Sequence, residues 1–128
     1  MRTLSLFTAL ACALLHGCSS PPAVPEKGES VIFVHGLGRT SASMETLASR
    51  VEDAGYKVIN FGYPSTSESI EQLTERLSAE VERSCGEERD HVHFVTHSMG
   101  GVLVRNYLSL GDPQHEGRVV MLSTPNQG

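Results

Sequence analysis

At 128 residues the chain has room for one domain at most. Fifteen acidic side chains against ten basic ones give a formal charge of −5. No basic stripe runs along any segment, so nucleic acid is not an expected partner. In chain order, Met1-Arg2-Thr3 is a short, positively charged start, followed by an apolar stretch from Leu4 to Leu15. Twelve apolar residues are too few to span a bilayer and match the h-region of a signal peptide. Residues 1–17 are therefore read as a leader that does not belong to the fold. Without it the chain loses Arg2 and no acid, and its formal charge becomes −6.

The leader ends in Leu15-His16-Gly17-Cys18. A small residue directly before a cysteine, with leucine two places further back, resembles the lipobox of bacterial lipoproteins. That resemblance implies export, acylation of Cys18 and an anchor in a membrane of the cell envelope. Ser19, which is not acidic, favours the outer membrane or a periplasm-facing position. An ordinary secretory signal is the alternative. With Cys12 removed and Cys18 acylated, Cys85 is the odd thiol, for which a partner outside these residues is one reading. Ser19 to Glu29 (SSPPAVPEKGE) holds three prolines, two serines and a glycine without periodicity. Residues 18–29 thus read as an extended tether. No internal repeat is visible.

From Ser30 the texture alternates. Val31-Ile32-Phe33-Val34 is a short apolar run suited to a strand buried on both faces, and His35-Gly36-Leu37-Gly38 ends it. Met44, Leu47, Ala48, Val51 and Ala54 follow at helical spacing, with Gly55 as the stop. Val58 to Phe61 is a second strand, ended by Gly62-Tyr63-Pro64. Ser65-x-x-Glu68 has the form of a capping box for a helix carrying Ile70, Leu73, Leu77 and Val81 to about Ser84. Val92 to Val95 is a third strand, a helix from about Met99 to Leu110 follows without a linker, and Val119 to Leu122 is a fourth strand. This alternation predicts an α/β fold with a mostly parallel sheet and helices on both faces.

The third strand runs into Thr96-His97-Ser98-Met99-Gly100-Gly101, a strand, a sharp turn and a helix with serine at the apex. Residues two before and two after that serine must be small, because strand and helix pass close together there. Gly100 fits, and Thr96 stands in for the usual glycine. Gly101 lets the helix approach the sheet. The sequence FVTHSMGG resembles the nucleophile elbow of α/β-hydrolases, lipases and esterases in particular, and His35-Gly36-Leu37-Gly38 resembles their oxyanion loop. The two motifs come in the family's order.

The resemblance implies Ser98 as nucleophile and the backbone N–H groups of Leu37 and Met99 as oxyanion donors. His35 and His97 would orient loops beneath the site. Other readings stay open. Ser98 could be a plain helix N-cap. Residues 36–41 could be a dinucleotide loop, although Ser41 occupies the third glycine position of that motif. His91 and His93 read as surface and core residues, and Thr124 to Gly128 as a turn.

In this family the catalytic acid and histidine follow the serine. Asp112 and His115 come in that order, but a helix of about 12 residues would carry them roughly 18 Å from Ser98. The acid and base are therefore expected to be absent from these residues. Residues 30–128 then correspond to a partial α/β-hydrolase domain that stops after about four strands. The expected activity is hydrolysis of hydrophobic or lipid carboxylic esters, with a resemblance to inositol-deacylase-like lipases, and this chain alone would be inactive. An acyltransferase using the same site, or a non-catalytic lipid-anchored binding protein, are the alternatives. No metal cluster, CxxC or phosphate loop is present, so no cofactor is expected.

Overall fold

The computed structural model describes residues 25, 29–85, 91–111 and 117–127. The leader, Cys18, most of the tether, Asp112 and His115 lie outside the described residues. The elements in chain order are β1 (Glu29–Val34), a 3-10 turn (Ser41–Met44), α1 (Glu45–Asp53), β2 (Lys57–Phe61), α2 (Ile70–Cys85), β3 (His91–His97), α3 (Met99–Ser109) and β4 (Val119–Leu122).

The four strands form one parallel sheet in the order β2-β1-β3-β4. In β1, Val31 to Val34 are all buried, because this strand lies inside the sheet and carries side chains on both faces. Ile32 and Val34 point into the larger core with Leu73, Leu77 and Val81 of α2 and Leu103, Val104 and Tyr107 of α3. Val31 and Phe33 point the other way, onto Met44 and Ala48. Helices therefore cover both faces, as the alternating pattern predicts.

Three local expectations are corrected. β1 begins at Glu29, inside the segment read as tether, because Glu29 and Ser30 pair in register with His91 and Val92. β3 continues past Val95 to His97, whose partner is Leu122 of β4. The capping box forms one turn later than Ser65-x-x-Glu68. Ser69 N–H donates to Gln72 Oε1 at 3.0 Å, and Gln72 N–H donates to Ser69 Oγ at 3.4 Å. The helix begins at Ile70, and Ser69, directly before it, takes the cap. Glu68 instead accepts a two-pronged bond from Arg76 (2.6 Å for each contact), which holds its carboxyl below the usual carboxylate range. Ser65 is committed elsewhere, as described below. Cys85 closes α2, half-buried against the larger core.

Candidate active site

β1 and β3 are neighbours and parallel, so the loops that leave their C-terminal ends emerge side by side. One is His35 to Gly38, and the other is the turn at Ser98. Their contact is close. A Cβ added to Gly36 would lie 3.2 Å from Ser98 Cβ and 3.0 Å from His97 Nδ1. A Cβ on Gly100 would lie 2.3 Å from Val34 O and 2.7 Å from His35 O. One on Gly101 would lie 2.1 Å from Thr124 Oγ1. Each of these glycines is dictated by a backbone or side chain passing where a methyl would have to go. Thr96, in the place of the family's first glycine, is fully buried on the same face of β3 as Val92 and Phe94.

Ser98 has φ 50° and ψ −121°, a left-handed backbone that non-glycine residues rarely adopt. Its side chain makes no capping bond to α3. The plain N-cap reading would need that bond, and its absence removes the ordinary structural reason for a serine here. The turn is fixed through its backbone: Ser98 N–H donates to Leu122 O at 2.9 Å, and Gly101 N–H donates to Ser98 O at 3.1 Å.

The first N–H groups of any helix lack an intrahelical acceptor. Among the described residues, the N–H groups of Met99 and of Leu37 have no protein acceptor. Gly38 has φ 66°, which a glycine accommodates without strain, and its N–H is taken by Ser65 Oγ at 3.0 Å. The Leu37 side chain stands 58% exposed beside this arrangement. Met99 packs partly on the larger core.

His35 is buried beneath its loop. Its Nδ1 lies 3.0 Å from Gly36 O, and a carbonyl only accepts, so Nδ1 carries the hydrogen. Its Nε2 then accepts from Tyr63 N–H at 3.4 Å. Both ring nitrogens are thus occupied by backbone. The ring also stacks on Tyr63, with centroids 4.1 Å apart and planes 12° apart, and the Tyr63 hydroxyl donates to His35 O. Burial pushes the Tyr63 phenol up to about 12. His97 ends β3, half-buried and packed against Gly36. His93 lies on β3 well below the site, where its Nδ1 accepts from Arg118 N–H at 3.0 Å and its Nε2 faces Glu29 at 3.5 Å.

Two features escaped sequence reasoning. Tyr63 and Ser65 read only as a strand end and a helix cap, although both are buried against the oxyanion-type loop. The available signal was a Tyr-Pro-Ser sequence at the end of the strand beside β1. The segment after β4 is also more than a turn. Thr124 packs on Gly101, and Arg105 donates to Pro125 O at 3.2 Å and to Asn126 Oδ1.

A parallel sheet with helices on both faces and a strained serine between its third strand and the next helix defines the class: this is an α/β-hydrolase fold. Residues 30–128 match the family model described as palmitoyl protein thioesterase, and the chain belongs to that family. No curated protein sequence gives a significant match.

Similar solved structures include a monoacylglycerol lipase from Paleococcus ferrophilus (26% identical, TM-score 0.61, covering 74% of this chain and 38% of that one). An extracellular alpha/beta-hydrolase from a Paenibacillus species is 16% identical with TM-score 0.64 over 77% of this chain and 42% of its own. A phospholipase from Legionella pneumophila, in complex with thio-NAD, is 20% identical with TM-score 0.64 over 78% and 26%. The present chain thus spans less than half the length of each of these structures.

Proposed function

We propose that the protein is a serine hydrolase that cleaves acyl esters and thioesters of hydrophobic chains through an acyl-enzyme on Ser98. The observation that carries this reading is the Ser98 backbone at φ 50°, with a side chain that caps nothing. A conformation of this kind costs about 1–3 kcal/mol and persists where the surroundings enforce it, typically at a functional site. The reading of the substrate rests on the family's description, on the lipase among the similar structures, and on the exposed Leu37 side chain.

In this mechanism Ser98 Oγ bonds to the acyl carbonyl carbon and its proton passes to a general base. The carbonyl oxygen becomes an oxyanion held by the N–H groups of Leu37 and Met99. Each such preorganised donor is worth about 3 kcal/mol of barrier. Collapse breaks the bond to the alcohol or thiol, which leaves with the proton. Water then hydrolyses the acyl-Ser98 ester to the carboxylic acid. We assign the base and its orienting carboxylate to no described residue. His35 spends both nitrogens on backbone. His93 lies about 16 Å back along β3 at roughly 3.3 Å per residue. In this family the pair follows the serine in the chain.

In a protein that also carries the acid and base expected after Ser98, a fluorophosphonate probe should label Ser98, and Ser98→Ala should abolish both labelling and hydrolysis of a p-nitrophenyl ester and a palmitoyl thioester. Labelling that persists in the alanine variant would refute the assignment. Residues 1–17 as a leader, Cys18 as an acylated anchor and 18–29 as a tether complete the proposal and would hold the enzyme at the cell envelope. Metabolic incorporation of a fatty-acid analogue that is lost in Cys18→Ala tests this part. An unlabelled, wholly soluble product would overturn it.

A further inference from the structure

We propose that Tyr63 and Ser65 are positioning residues that clamp the oxyanion loop on both sides of Leu37; the role rests on the hydrolase reading above. β2 is the strand next to β1, so the loop leaving β2 passes beside the loop leaving β1. Tyr63 and Ser65 turn inward from that loop and are only 8% and 7% exposed. Ser65 N–H donates to Tyr63 O at 2.9 Å, which ties the two into a tight bend around Pro64.

Upstream of Leu37, Tyr63 holds His35 in three ways: ring stacking, its N–H on Nε2, and its hydroxyl on the His35 carbonyl. Downstream, Ser65 Oγ takes the Gly38 N–H at 3.0 Å. The second bond has a selective consequence. Leu37 and Gly38 each carry an N–H that could face the developing negative charge, and Ser65 withdraws the Gly38 group from that role. Leu37 N–H is left as this loop's one unengaged donor among the two, in a backbone fixed at the residues on either side. A donor stabilises an oxyanion in proportion to how little it must reorganise, so fixing the loop acts on the transition state and leaves substrate binding alone.

The test uses the protein together with the segment that supplies its acid and base, and compares wild type, Ser65→Ala, Ser65→Thr and Ser98→Ala using p-nitrophenyl octanoate and an octyl trifluoromethyl ketone, which forms a tetrahedral oxyanion adduct with a serine hydroxyl. Ser65→Ala should lower kcat about tenfold with KM nearly unchanged. That is less than the roughly 10²–10³ lost when a donor itself is removed. The inhibition constant of the ketone should rise by the same factor, and Ser65→Thr, which keeps the oxygen, should recover both. An Ala variant with wild-type kcat and ketone affinity overturns the clamp, as does a loss that Thr fails to recover. If wild type does not hydrolyse the ester, or Ser98→Ala retains hydrolysis, the reading of Ser98 as the nucleophile of a hydrolase has failed, and amide exchange at Gly38 then decides the clamp. Protection in wild type that is lost in Ser65→Ala supports it, and rapid exchange in wild type overturns it.

Discussion

Replacing Gly100 by alanine tests whether the close approach of α3 to β1 holds the two candidate catalytic loops together. The new methyl would sit 2.3 Å from Val34 O and 2.7 Å from His35 O. A carbon–oxygen contact needs about 3.3 Å, so helix and strand must part by about 1 Å. Both obstacles are backbone, which cannot rotate away as a flexible side chain can. Overpacking of this kind costs about 3 kcal/mol at the upper end of its range, and alanine returns about 1 kcal/mol of helix propensity. The net loss of about 2 kcal/mol corresponds to a fall in Tm of about 10 °C for a domain of this size. A displacement of about 1 Å between the proposed nucleophile and the proposed oxyanion loop should also slow fluorophosphonate labelling about 10²-fold. Gly101→Ala provides the contrast, because its obstacle is the Thr124 side chain at 2.1 Å. Adding Thr124→Gly should recover most of the loss in Gly101→Ala and none of the loss in Gly100→Ala. A Gly100→Ala protein that melts within about 2 °C of wild type and labels at its rate would refute the argument.

Three further outcomes are expected. Ser98→Gly should raise Tm by several degrees while abolishing labelling, since glycine relieves about 1–3 kcal/mol of backbone strain at φ 50°; an unchanged or lowered Tm would count against strain at this turn. The Tyr63 phenol is raised to about 12, above its ordinary 10.0, so the folded state holds that proton more tightly than the unfolded chain. Stability is complete below pH 10 and should fall by up to about 3 kcal/mol as pH rises through 12. Urea melts at pH 8 and pH 11 should show about half of that loss, roughly 1.4 kcal/mol, in wild type and its reduction in Tyr63→Phe, which at pH 8 loses about 1 kcal/mol for the missing bond to His35 O. Ser69→Ala should cost about 1 kcal/mol and weaken amide protection in the first turn of α2, whereas Ser65→Ala should leave that turn protected.

The fold was legible because its strands are short, continuous apolar runs and its helices carry stripes. Val31 to Val34 must be buried on both faces, and few other architectures offer that position. The elbow was legible because Ser98, Gly100 and Gly101 stand together between a readable strand and a readable helix, although the groups that require the two glycines, Val34, His35 and Thr124, lie far off in the chain. What stayed hidden depends on partners distant in the chain. Glu29 is strand only because His91 lies beside it. Ser65 and Ser69 each begin an S-x-x-E/Q sequence, and local chemistry alone does not rank them. Tertiary contact with Gly38 claims the first and leaves the cap to the second. The stacking of Tyr63 on His35 spans 28 residues, with no spacing rule to announce it.

The order β2-β1-β3-β4 also bears on how the molecule is made. β1 leads the domain, yet one of its two neighbours is β3, whose Thr96 pairs with Val34 only after α1, β2 and α2 have been synthesised. Closing so long a loop carries an entropic cost that must be met before the contact returns anything. Pairings of this kind slow folding, and until β3 arrives the apolar flank of β1 has no strand beside it. For the exported chain proposed above, such a delay would be useful, because a polypeptide threaded across a membrane has to pass unfolded. The same central pairing that brings the two loops together would then keep the domain threadable until most of it has been delivered.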